Sequence, residues 1–101
     1  MKRKISIQWS RQARLQLFNI ADLIRKDKQS AALAWVQKVE KKVLRLQKFP
    51  LSGRVVSELK RLDIRELIEG SYRVIHKYKV NEEIAVLSVF HGAKKLNLKN
   101  H

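Results

Sequence analysis

The chain has 101 residues, 45% of them hydrophobic, so it reads as a single α+β domain over 1–101 with one core and too apolar to stay disordered. Its 23 Lys and Arg against 9 Asp and Glu give a net charge of +14, which disfavours a compact state by self-repulsion and calls for an acidic partner: nucleic acid, an anionic membrane or an acidic protein. Cysteine is absent, which excludes disulfides, thiol catalysis and Cys-based zinc sites.

The positive charge leans forward: residues 1–50 carry a net of +10 and residues 51–101 a net of +4. No apolar run approaches the ~18 residues of a membrane span. The basic start "MKRKISIQW" is broken by Ser6 and Gln8, unlike a signal peptide. The expected protein is soluble, cytoplasmic and free of membrane contact.

Residues 4–9 alternate, with Ile5, Ile7 and Trp9 on one side, a half-buried strand. Ser10 is a good N-cap. Ala13, Leu17, Ile20 and Ile24 then recur at helical spacing. A second helix is expected from near Ser30, with Ala32, Val36, Val39, Val43 and Leu46 inward and Trp35 alongside. Its outer face carries most of Lys38, Lys41, Lys42, Arg45 and Lys48, and Pro50 stops it. A link of about two to four residues makes the helices an antiparallel hairpin.

Leu51 to Asp63 reads as a loop with a turn at Ser52-Gly53. Three strands follow: 64–69, ending at Gly70-Ser71; 72–80, ending at Asn81-Glu82; and 83–91, ending at Gly92. The expected fold is β-α-α-β-β-β, a helical hairpin packed on a largely antiparallel four-stranded sheet. In the third strand Tyr72, Val74, His76, Tyr78 and Val80 should face the helices. Arg73, Ile75, Lys77 and Lys79 should line an open face as a basic stripe. Arg73 and Lys77 are then about 13 Å apart, a spacing suited to phosphates or carboxylates.

Metal chemistry has no footing here: no His pair has helical ligand spacing. The isolated glycines form no phosphate-cradling loop, and no cofactor is expected. His76 is expected as a packed histidine with one hydrogen bond. His91 reads either as a strand-end histidine bonded to backbone or as a proton donor. One metal-free reaction fits the residue types, RNA cleavage by its own 2′-hydroxyl. Glu58 or Lys60 would be the base, Arg54, Arg65 or Arg73 the phosphate cation, and His91 or Tyr72 the acid.

The stretches "FPLSGRVVSEL" (Phe49–Leu59), "IRELIEGSYRVIHKYKV" (Ile64–Val80) and "IAVLSVFHGAKKL" (Ile84–Leu96) together resemble the RelE/ParE superfamily of toxins, also called plasmid-stabilisation proteins. Residues before Phe49 match in period only. The resemblance implies a type II toxin that an acidic, partly disordered antitoxin silences. It also implies one of two trades: ParE-like binding to DNA gyrase, or RelE-like cleavage of mRNA on the ribosome. "HGAKK" resembles the ParE-like ending, with Lys94 where arginine is usual. Arg73 matches the strand arginine of both branches, and His91 a last-strand histidine that also occurs in ParE-like chains. His76 stands where the pattern has tyrosine.

The leading expectation is therefore a gyrase inhibitor with Arg54, Arg65, Arg73, Lys77, His91, Lys94 and Lys95 as target-binding residues. The alternative is an mRNA endonuclease with Arg73, His91 and Glu58 as catalytic residues. A third reading, a plain nucleic-acid-binding module, accounts for the charge alone.

Overall fold

The computed structural model describes residues 5–94. The elements run β1 (Ser6–Trp9), α1 (Arg11–Asp27), α2 (Gln29–Leu44), a 3-10 turn (Arg45–Gln47), β2 (Arg54–Val55), β3 (Ile64–Glu69), β4 (Tyr72–Lys79) and β5 (Glu83–His91). The sheet has five strands in the order β1-β5-β4-β3-β2. Only β1 runs parallel to its neighbour, β5; the other pairings are antiparallel.

The expected four-stranded sheet is thus corrected by one strand. β2 is two residues long, Arg54 opposite Glu66 and Val55 opposite Arg65. Two residues do not establish a period, so the pattern around them reads as loop.

Ser10 caps α1: its Oγ accepts from the Ala13 amide at 3.0 Å and donates to the Leu87 carbonyl at 3.0 Å. One hydroxyl thereby closes the first turn and fixes the helix to the middle of β5. The link between the helices is one extended residue, Lys28 (φ −152°, ψ 111°), shorter than expected. Its N–H closes α1 on the Ile24 carbonyl, and its own carbonyl accepts from Ala31.

Ala13, Leu17 and Ile20 of α1 meet Trp35, Val39 and Val43 of α2 over Val74, Val86 and Val89 of the sheet. Ile7 and Trp9 of β1 join this core, as their alternation implies. Trp35 is buried, while Val36 is half-buried.

The opposite sheet face is not open. Val56 and Leu59, from the segment after β2, cover Ile64, Ile75, Ala85 and Leu87, with Phe90 at the margin. The expected basic stripe is corrected accordingly: Ile75 is fully buried and Arg73 only 7% exposed. Lys77 is half-buried and Lys79 exposed. A register shift sets Ile75 opposite Ser88 but His76 opposite Val86. The extra residue, Leu87, is therefore on β5, and the alternation of β4 survives intact.

Candidate functional site

Below the β3–β4 turn, on the face away from the helices, lies a cleft of about 490 Å³ lined by Arg54, Ser57, Glu58, Glu66, Ser71, Arg73 and Gly92, among others. Arg73 is its floor. Neighbouring strands place Glu66 beside it, because Glu66 faces Ile75 on β3 and Arg73 is two residues along β4 on the same face.

Four of the five guanidinium N–H groups are engaged with carboxylates. Nε and Nη2 donate to Glu66 Oε2 at 3.0 and 2.8 Å. Nη1 and Nη2 donate to Glu58 Oε2 and Oε1 at 2.8 and 2.9 Å, a bidentate fork. The cation also lies 5.3 Å from the centre of the Phe90 ring. Arg54 Nε donates to the remaining Glu66 oxygen at 3.2 Å. Two arginines and two carboxylates therefore balance in charge.

Hydrogen bonding to Glu58 raises the Arg73 pKa above its ordinary value; burial opposes this, and Glu66 adds to it. Removing either carboxylate from such a pair costs more than forming the pair gains, since a buried charge is left uncompensated.

The other expected site residues divide by position. Arg65 staples the loop: Nη1 donates to the Leu51 and Gly53 carbonyls at 2.9 and 3.0 Å, and Nε to that of Leu62 at 3.0 Å. Lys77 stands two positions beyond Ile75 on the same face as Arg73. Lys94 is exposed just past β5, and Lys95 lies outside the described residues.

His91 sits on the other face of the sheet from Arg73. Tyr72 pairs with His91 and Arg73 with Phe90, and successive residues point to opposite faces. The His91 ring meets Tyr72 edge-on at 5.6 Å, and Tyr72 meets Trp35 at 5.3 Å. Its Nδ1 accepts the Ala93 amide at 3.2 Å, so a neutral ring carries its proton on Nε2. The backbone-bonded reading of His91 matches this geometry. Arg73 and Glu58 thus come together as an ion pair, while His91 does not join them.

His76 is fully buried on the helix face. Neither ring nitrogen makes a well-formed hydrogen bond among the described residues, in place of the single bond expected; the Val74 backbone still acts weakly on the ring and opposes the shift in its pKa. Burial, helped by the charge of Arg65, depresses its pKa to about 4, so the ring is neutral at pH 7. Gly53 packs directly on it: a Cβ there would lie 2.6 Å from His76 Cε1. That contact is why a glycine stands beside the short β2 strand.

Glu66 is the residue that reading the sequence missed. It is 4% exposed and joins both arginines. The signal was its place between Ile64 and Ile68 on one apolar strand face, buried at Ile64 though exposed at Ile68, where a buried carboxylate requires a cation.

Among the described residues no group of His, Cys, Asp and Glu is placed to hold a metal ion, and no helix is long and apolar enough to cross a membrane. Residues 7–96 match the family described as ParE toxin of type II toxin-antitoxin system, parDE. No curated protein matches the chain. Among solved structures, a chain of the chromosomal ParDE toxin–antitoxin system from P. aeruginosa superposes with a TM-score of 0.71 at 24% identity, covering 87% of this chain and 96% of that one. A chain of the RelBE2 toxin–antitoxin complex from Mycobacterium tuberculosis superposes with a TM-score of 0.61 at 17% identity, covering 88% and 99%. These likenesses carry the fold: two helices against one face of a mostly antiparallel sheet. With the family match spanning almost the whole sequence, the chain belongs to the ParE toxin family of type II toxin–antitoxin systems.

Proposed function

We propose that this ParE-family toxin arrests growth by binding DNA gyrase, without chemistry of its own, and that an acidic antitoxin neutralises it. The observation that carries the binding reading is the closed Arg73–Glu58–Glu66 network. An RNA-cleaving site needs a free cation for the phosphate and a base free to take a proton. Of the candidate residues, Arg73 and Glu58 spend their hydrogen bonds on each other, and His91 projects from the opposite face. The family match favours the same reading.

The antitoxin reading rests on charge and on an apolar hollow. Between α1 and the end of β5, Ile20, Leu23, Val89 and Phe90 line a concavity of about 350 Å³. Leu23 is 61% exposed there. An amphipathic acidic segment that folds on binding suits such a surface, and the net charge of +14 speeds the encounter.

Expression in bacteria tests the choice of target. The gyrase reading expects a DNA-damage response with intact transcripts. It also expects His91→Ala and Glu58→Gln, where folded, to keep most of their toxicity. Rapid transcript cleavage at translating ribosomes, abolished by a folded His91→Ala, would replace it with the endonuclease.

A further inference from the structure

Lys38, Lys41, Lys42 and Arg45 fall on one side of α2 and its following turn, spaced three, four and seven residues apart. Lys48 continues the line, because it closes the 3-10 turn in helical conformation (φ −93°, ψ −35°). From Lys38 to Lys48 the row is about 15 Å long. Lys42 leans on Glu69 at 3.1 Å, but Lys38, Lys41, Arg45 and Lys48 have no ion-pair partner among the described residues. The helix's one acidic residue, Glu40, turns away toward Ile7 and Trp9. Beside the row, Lys42, Arg45 and Arg54 line a hollow of about 320 Å³ with Ser52, Gly53, Glu66, Leu67 and Ile68; the Glu66 carboxylate there is paired with Arg54 and Arg73.

We infer that this row binds the phosphate backbone of duplex DNA, sequence-independently, with a phosphate seated at the hollow. The inference goes beyond the toxin assignment and stands whichever target the toxin holds. A line of cations along one helix, four of the five without an ion-pair partner among the described residues, fits a backbone whose charges are themselves regularly spaced. The row is made of Lys and Arg alone, and their contacts to phosphate carry no sequence information. A single strand would want a succession of aromatic platforms; Phe49 is the one exposed aromatic next to the row. An acidic peptide that folds on binding seeks an apolar floor; the hollow beside the row offers Leu67 and Ile68 among charged and polar neighbours, whereas Ile20, Leu23, Val89 and Phe90 line the hollow between α1 and β5.

The test is fluorescence anisotropy of the full chain with a labelled duplex of arbitrary sequence about two helical turns long, over a potassium chloride series. The row variant combines Lys38→Gln, Lys41→Gln, Arg45→Gln and Lys48→Gln. The control combines Arg11→Gln, Arg14→Gln, Lys26→Gln and Lys28→Gln, exposed cations divided between the two ends of α1. Both take the net charge from +14 to +10. The row variant should lose about tenfold or more in affinity at low salt, with a log–log salt slope shallower by roughly 3. The control should stay within about threefold of the parent.

Equal losses in both variants would reduce the binding to diffuse charge and overturn the proposal. So would absence of duplex binding by the parent. Tighter, row-dependent binding of oligoglutamate or of a single strand of equal charge would assign the surface to that ligand instead. Circular dichroism checks folding. Should the row variant unfold, Lys38→Gln with Lys41→Gln carries the test, with about half the slope change expected.

Discussion

Arg73 is held by five constraints at once: two oxygens of Glu58, one of Glu66 met twice, and the Phe90 ring. Arg73→Ala leaves Glu66 buried beside only the exposed Arg54, and it should destabilise the fold by on the order of 3 kcal/mol in urea unfolding. Arg73→Met with Glu66→Gln should recover a good part of that loss; additive losses would show that the pair is not the cause. A toxicity screen of Arg73→Ala alone therefore reads folding before function. His76 supplies a pH dependence with a definite sign. Its folded pKa of about 4 lies below the ordinary 6.5, so the unfolded chain binds the proton first as pH falls. The stability from a neutral His76 is fully present above pH 6.5 and is lost between 6.5 and 4. At pH 5 this amounts to roughly 2 kcal/mol relative to pH 7.5, and His76→Leu should flatten the curve in that window. A parallel slope in the variant would assign the acid sensitivity to carboxylates. Gly53→Ala should cost about 1–3 kcal/mol through its clash with the same ring. The inward setting of His76 was legible, since it alternates with Val74. The closure of Arg73 was not: alternation assigns a residue to a face but does not tell whether a loop covers that face.

At the scale of elements, the sequence carried most of the fold. The helical stripes, the Ser10 cap and the three strands between glycine and asparagine turns each lie within a few residues and depend on local chemistry. What failed was shorter or more distant. β2 is too brief for a period, and the hinge at Lys28 has no glycine or proline to mark it. The cover of the second face depends on Val56 and Leu59 reaching across the sheet. β5 adds one further device. β1 pairs with it only from Glu83 to Val86, which leaves the remainder of that edge unpaired by a strand. Ser10 takes the Leu87 carbonyl, and Gln16 Oε1 accepts from Val89 N–H at 2.7 Å and from Ser88 Oγ at 3.0 Å. Side chains of α1 thus stand in for a missing strand neighbour and blunt an exposed edge. Ser10→Ala should cost about 1 kcal/mol or somewhat more, since it loses a helix cap and an edge bond together. Gln16→Ala should speed hydrogen exchange at the Val89 amide without comparable change at Val74, which is paired on β4. Equal acceleration at both would mean that the edge is no weaker than the middle of the sheet.

For the whole molecule the charge has to be reconciled with a neutral cleft. The net is +14, yet the cleft that would suit a reacting phosphate balances its arginines with carboxylates, and among the described residues most of the cations without an ion pair lie along the helices. On the proposed reading, acidic partners are drawn to the helical side, where those cations stand. Association with an acidic antitoxin should therefore slow as salt rises, while dissociation, governed by the apolar hollow at α1 and β5, should change little. The claim on which the account turns is inhibition by binding. The most direct measurement is to incubate purified toxin with DNA gyrase, supercoiled DNA and ATP, and in parallel with translating ribosomes and mRNA. Gyrase-cleaved DNA should accumulate in the first mixture and mRNA should stay intact in the second; intact DNA with normal supercoiling in the first and cut mRNA in the second would overturn inhibition by binding.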